Sequence, residues 1–300
     1  MVQQPKTYLV TGATSGIGEA VTAALLTTRG ARVVGVARTA ERARAATDRL
    51  RRRLPDAEID YLTANLSEMA QVRRLAAQLC ARVSRVDGLI LNAGVARPRR
   101  ELTADGFEMD FATNHLSAFL LVRELDDLLR ASAPARVVAV SSSAQMHVKA
   151  VDLDAMVTGN GFHHLRTYSA TKLLTVLFTN ELSRRLAGSG VSANSADPGF
   201  VRTRLGRDAP GAFGMFLKLA RPFQLSPAKA AVTRCSWRPL PRLTGSPGVT
   251  SRSAGRRGPA ISLRIRSSPS DCGNSAPNWS LDRTDRGPAE GRPGTGPPAR

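Results

Sequence analysis

Residues 8–18 read Tyr-Leu-Val-Thr-Gly-Ala-Thr-Ser-Gly-Ile-Gly, and this run constrains the fold more than any other in the chain. A short apolar run, Tyr8 to Val10, stops at a glycine turn, and a helical pattern follows from Glu19 to Thr27. Glycines at such a turn let the backbone bend sharply and approach an anion, which then rests on the helix N-terminus, where unpaired amides and the helix dipole favour negative charge. The spacing is G-x-x-x-G-x-G rather than G-x-G-x-x-G, but the strand before and the helix after are the setting a dinucleotide fingerprint requires. Gly12, Thr14, Ser15, Gly16, Ile17 and Gly18 are the expected cradle for a pyrophosphate. A turn of purely structural purpose is the alternative, and the flanking pattern disfavours it.

Apolar runs alternating with helical patterns continue along the chain and predict strands over 7–11, 31–37, 58–63, 86–91, 135–141 and 191–196. That alternation predicts an α/β fold, a doubly wound parallel sheet of Rossmann type in a single domain. In such sheets ligands bind at the carboxyl ends of the strands. Three expected strands end in polar or small residues: Arg38 after the second, Asn92-Ala93-Gly94 after the fourth, and Ser141-Ser142-Ser143 after the fifth. Asn114 lies between the last two, in the helical stretch from Phe111 to Leu121. An acidic residue about twenty positions past the glycines normally accepts the ribose 2′-hydroxyl of NAD. This chain has Ala37-Arg38 there, and a guanidinium suits a 2′-phosphate. The cofactor expected is therefore NADP, with NAD the alternative should Arg38 be simply a solvated arginine.

Residues 168–172 read Tyr-Ser-Ala-Thr-Lys. On a helix Tyr168 and Lys172 share one face, which sets an ammonium beside a phenol. A nearby positive charge favours phenolate and lowers a pKa that is ordinarily about 10, fitting Tyr168 for proton transfer near neutral pH.

Together these residues resemble the short-chain dehydrogenase/reductase family over roughly residues 5–205, and within it the retinol-dehydrogenase-like branch. Arg38, Asp105-Gly106-Phe107-Glu108 ahead of Asn114, and the long gap between serine and tyrosine carry the likeness to that branch. The resemblance implies a catalytic tetrad of Asn114, Ser142, Tyr168 and Lys172. Ser142 is preferred among the three serines as the second residue after the strand's last apolar position. It further implies cofactor contacts from Asn65-Leu66, where Asp-Leu is usual, from Pro198, Gly199 and Val201, and from Thr203 to the nicotinamide carboxamide or the pyrophosphate. The implied activity is interconversion of an alcohol and a carbonyl with NADP(H), Tyr168 acting as general acid and base on a small-molecule substrate. A cofactor-binding protein without turnover, or a destabilised gene product, is the competing reading.

Composition bounds the other classes. The 300 residues can build one α/β domain with a sizeable core. No run of 18 apolar residues occurs and the N-terminus lacks an apolar leader, so a membrane span is not expected and the expected location is cytoplasmic. Cys80, Cys235 and Cys272 have no metal-type spacing, so no metal site is expected. His163-His164, just before Tyr168, read as a loop or a substrate rim. The net charge of +19 is mostly arginine, and arginines 42, 44, 49, 51, 52 and 53 read as a solvated helix face. Without a reading module or stacking aromatics, no specific nucleic-acid partner is expected.

From about Thr233 the sequence changes character. Ten of the 18 prolines, both tryptophans and two of the three cysteines fall in 233–300, and apolar periodicity disappears. Residues 1–232 are the expected cofactor-binding domain; 233–300 have the arginine-, proline-, glycine- and serine-rich composition of a segment that cannot bury a core. The family's last helix and strand are not visible there, which suggests a reading-frame shift near residue 233. A homo-oligomer is compatible with the resemblance but disfavoured by that altered C-terminus.

Overall fold

The computed structural model describes residues 5–199 together with Val201 and Ser226. Six strands, β1 (Lys6–Thr11), β2 (Ala31–Ala37), β3 (Glu58–Thr63), β4 (Gly88–Leu91), β5 (Ala135–Val140) and β6 (Val191–Ala196), form one sheet in the order β3-β2-β1-β4-β5-β6. Every pairing is parallel. The chain winds outward from β1 in both directions, so the order reverses between β1 and β4, and a crevice opens at their carboxyl ends. This is the doubly wound fold the strand pattern predicts. The fourth strand begins at Gly88, two residues later than its apolar run suggests, because the Val86 N–H is taken by the Ser132 hydroxyl at 2.9 Å.

Helices cover both faces, as parallel sheets require. α1 (Gly16–Leu26) follows the glycine turn, and α2 (Ala40–Arg51) and α3 (Met69–Arg82) follow β2 and β3. After β4 come α4 (Met109–Phe111), a π-helical turn (Ala112–Leu116), α5 (Ser117–Glu124) and α6 (Asp126–Ala131). A 3₁₀ turn (Ser143–His147) and the short α7 (Leu153–Thr158) lead from β5 into α8 (His164–Arg185), which returns to β6.

The strand period of two separates the core into layers. Leu9, Leu89 and Leu91 point to one face, where α3, α5 and α8 supply Leu75, Leu79, Leu121 and Phe178. Val10, Val33 and Ile90 point to the other, against Val21 and Leu25 of α1 and Leu50 of α2. The central β4 is buried at all four positions, whereas the outer β3 leaves Glu58, Asp60 and Thr63 exposed. Helix α8 buries hydroxyls as well as carbons. Thr175 and Thr179 donate to the carbonyls of Thr171 and Thr175 at 3.0 and 2.7 Å, which satisfies them inside the helix.

Candidate active site

The glycine turn leaves β1 at the switch point and is locked there by side chains. The Thr11 hydroxyl accepts the N–H groups of Asn92 and Ala93 at 2.9 and 3.0 Å, and Asn92 returns its Nδ2 to the Thr11 carbonyl at 2.9 Å. Thr11 was not legible as a site residue, although its place between an apolar run and Gly12 is a usable signal. Gly18 lies flat on this junction: a Cβ there would collide with the Gly12 carbonyl oxygen and the Asn92 amide. Ser15, the N-cap of α1, makes no side-chain cap hydrogen bond, so its hydroxyl leaves the helix's leading amides to another partner. Gly16, Ile17 and Gly18 are the helix's first three residues. Thr14 is fastened by Arg49, which donates to its carbonyl at 2.9 Å and pairs with Glu19 at 2.8 Å. The solvated-face reading therefore fails for Arg49, which ties α2 to the turn.

Arg38 stands exposed just past β2. Partial burial of its guanidinium, then Arg42 and Arg97, lowers its pKa, the mark of crowded positive charge. Asn65 is turned inward on its own loop: its Nδ2 donates to Glu68 at 2.6 Å and its Oδ1 accepts from the Ser67 hydroxyl at 3.0 Å. Leu66 beside it is buried. At the other side of the crevice Pro198 and Gly199 follow β6, with the Gly199 N–H on the Asp197 carboxylate at 2.8 Å, and Val201 forms an isolated bridge. Thr203 and the segment from 233 lie outside the described residues.

The four expected catalytic side chains converge beyond the ends of β4 and β5. Asn114 sits in the π-helical turn and is buried; its Oδ1 accepts from the Val95 N–H at 2.7 Å, and its Nδ2 donates to the Val95 carbonyl at 2.8 Å and to Thr171 Oγ1 at 3.0 Å. Thr171 Oγ1 in turn donates to the Tyr168 carbonyl at 2.7 Å. Thr171, another residue the motif reading passed over, joins the two helices of the site. A Cβ on Gly94 would lie 3.4 Å from Asn114 Oδ1 and 3.5 Å from Lys172 Nζ, so the Asn92-Ala93-Gly94 turn abuts both. The three serines part company: the buried Ser141 hydroxyl donates to the Lys172 carbonyl at 3.0 Å, while the Ser142 hydroxyl accepts the Ala144 N–H at 3.3 Å and lies near enough to the Tyr168 phenol to pull its pKa down.

Lys172 lies one turn after Tyr168, with Nζ 5.7 Å from the ring centroid. Its ammonium donates to the Val140 carbonyl at 2.9 Å, and burial pulls its pKa down to about 8, Asp110 acting the other way. The spacing argument expects this lysine to lower the pKa of Tyr168. Instead the phenol is held above its ordinary value, first by burial and then by Asp110 and Asp197, with the Ser142 hydroxyl pulling down. The physical reason is desolvation, which favours the neutral form of both groups and weakens the ammonium's influence.

His163 caps α8, its Nδ1 accepting the Arg166 N–H at 3.4 Å. His115, next to Asn114, is packed between Phe111 and Phe178 at 5.6 and 6.2 Å and is pushed down by burial to about 4, so it is a neutral core residue. Among the described residues no group of His, Cys, Asp and Glu could hold a metal ion, and no helix is long and apolar enough to cross a membrane.

The family profile described as short chain dehydrogenase matches residues 6–210. Human retinol dehydrogenase 13 is 42% identical over 204 residues, 67% of this chain and 61% of that protein. Mouse retinol dehydrogenase 14 is 40% identical over 212 residues, 67% of this chain and 63% of its own. A solved Pseudomonas aeruginosa RhlG/NADP active-site complex superposes with a TM-score of 0.60 at 27% identity, covering 77% of this chain and 88% of that one. The chain belongs to the short-chain dehydrogenase family, and its relatives place it on the retinol-dehydrogenase-like side. It spans less than two thirds of the length of these two retinol dehydrogenases.

Proposed function

We propose that the protein interconverts an alcohol and a carbonyl with NADP(H), using Tyr168 as the group that gives or takes the proton. The observation that carries this reading is the convergence of Ser142, Tyr168, Lys172 and Asn114 at the ends of β4 and β5, with Tyr168 and Lys172 on one helix face and Asn114 linked to Tyr168's backbone through Thr171. When bound, the cofactor supplies or accepts the hydride. Residues fit to hold it are present: a glycine turn with no room for a Cβ at Gly18, helix amides without a side-chain cap, and Arg38 beside Arg42 and Arg97 for a 2′-phosphate. The similar RhlG structure, solved with NADP, supports the same choice.

In reduction, Ser142 donates to the substrate oxygen and Tyr168 delivers its proton as that oxygen becomes an alkoxide. A phenol held protonated by burial suits the donor role at neutral pH. Lys172 is within reach of the Gly94 turn and serves the ribose, while Asn114 and Thr171 hold α8 in register with loop 95–97. The substrate class is a small carbonyl or alcohol.

The test is turnover of a panel of aliphatic, aromatic and steroid carbonyls with NADPH or NADH, beside a fluorescence titration of NADPH binding. Turnover with at least one carbonyl is expected. Binding without oxidation across the panel would favour a non-catalytic cofactor-binding protein instead.

A further inference from the structure

Asp110 is a carboxyl group that this mechanism leaves unused, and it is fully buried. It lies on α4, one turn before Asn114, so the two side chains share a face of the helical segment. Both grip the loop that continues from Asn92-Ala93-Gly94. Asn114 holds Val95 through its N–H and carbonyl, and the two Asp110 oxygens accept from the Arg97 N–H at 3.1 and 3.3 Å. One shared backbone donor does not offset the burial of a full charge. The Arg97 guanidinium is directed to Glu101 at 3.3 Å. Phe111, the next residue, packs on Ala170 and Leu174 of α8, so the ionisable groups that Asp110 influences or is influenced by are Glu108 ahead of α4, Arg97 and Glu101 from the preceding loop, and Tyr168 and Lys172 from α8.

We propose that Asp110 is a positioning residue for the Tyr168–Lys172 pair: its carboxyl pins loop 95–97 beside Asn114 and presents an acidic group to both across the α4–α8 interface. The inference rests on the reading of Tyr168 and Lys172 as the proton-transfer pair. Burial, reinforced by Glu108, raises Asp110 to about 8, and burial brings Lys172 down to about 8. The two groups therefore titrate over overlapping ranges. Ionised Asp110 favours the ammonium of Lys172 and the protonated phenol of Tyr168.

The experiment follows the Lys172 ¹³Cε resonance against pH in the full chain, assigned with Lys172→Arg, in the wild type and in Asp110→Asn. Asparagine keeps an acceptor for the Arg97 N–H and removes the charge. The Lys172 midpoint is expected to fall by about half a unit or more. The midpoint of kcat for carbonyl reduction moves the same way, and Asp110→Glu restores both toward the wild type. An unchanged Lys172 midpoint in folded Asp110→Asn overturns the proposal, because a merely structural carboxyl alters stability without moving that titration. If Asp110→Asn does not fold, the wild-type resonances decide: a second inflection of Lys172 ¹³Cε at the Asp110 ¹³Cγ midpoint supports the proposal, and its absence overturns it. A wild type that titrates as expected but reduces no carbonyl overturns the proposed function and leaves this coupling standing.

Discussion

Tyr168 comes near Ser142 through its phenol and meets Thr171 through its own carbonyl, so removing the hydroxyl should disturb chemistry rather than structure. Tyr168→Phe is expected to cost at least about a hundredfold in kcat, the scale of a lost general acid, with NADPH binding by fluorescence nearly unchanged. Arg38 belongs to a different transaction, the choice of cofactor. A charge-assisted bond to a 2′-phosphate is worth about 1.5–3 kcal/mol, or roughly 10- to 150-fold in preference for NADP. Arg38→Asp should reverse the kcat/KM order of NADP and NAD; an unchanged ratio would remove the arginine from that role. Asp110 also predicts a pH dependence of stability. Its pKa is raised on folding, so its contribution is fully present below about pH 4 and is lost as pH rises through about 8. Glu108, also raised by burial, adds a fall of the same sign. His115, pushed down to about 4 by burial, contributes the opposite slope below about pH 6.5, so urea midpoints measured from about pH 6.5 to 8 should decline in the wild type and decline less in Asp110→Asn.

At the level of elements, the site depends on how closely α1 approaches the end of β1. Gly18→Ala would drive a methyl group into the Gly12 carbonyl and the Asn92 amide, which can move only by opening the junction locked by Thr11. The expected outcome is a loss of about 1–3 kcal/mol of stability in urea denaturation, the usual cost of an over-packed site, together with weakened NADPH binding. Unaltered binding would mean the turn has another purpose. The π-helical turn at 112–116 is the other element with a functional consequence: it carries Asn114 and lets its side chain reach both Val95 and Thr171. Neither that turn nor the Arg49–Glu19 link has a sequence signal, since a π turn uses ordinary helix formers and an ion pair between α1 and α2 has no fixed spacing.

For the molecule as a whole, a net charge of +19 should draw in an anionic cofactor from a distance. The Debye length shrinks from about 30 Å at 0.01 M salt to about 8 Å at 0.15 M, so the apparent KM for NADPH is expected to rise across that range while kcat holds. An end of the folded domain near residue 232 remains our proposal from composition, and the gene tests its frameshift origin: one codon bias running unbroken across residue 233 would sink it. The amino-acid sequence by itself determined the strand order of events along the chain, the glycine turn, and the Tyr168–Lys172 spacing. All three are local patterns set by side-chain period and backbone sterics, readable without knowing what packs on them. Only the tertiary structure decided which serine comes near the tyrosine, that Asn65 and Arg49 spend their polar groups on their own surroundings, and that Asp110 lies buried against loop 95–97. These depend on which groups lose water together, and desolvation is a property of the packed interior that no single stretch of sequence contains.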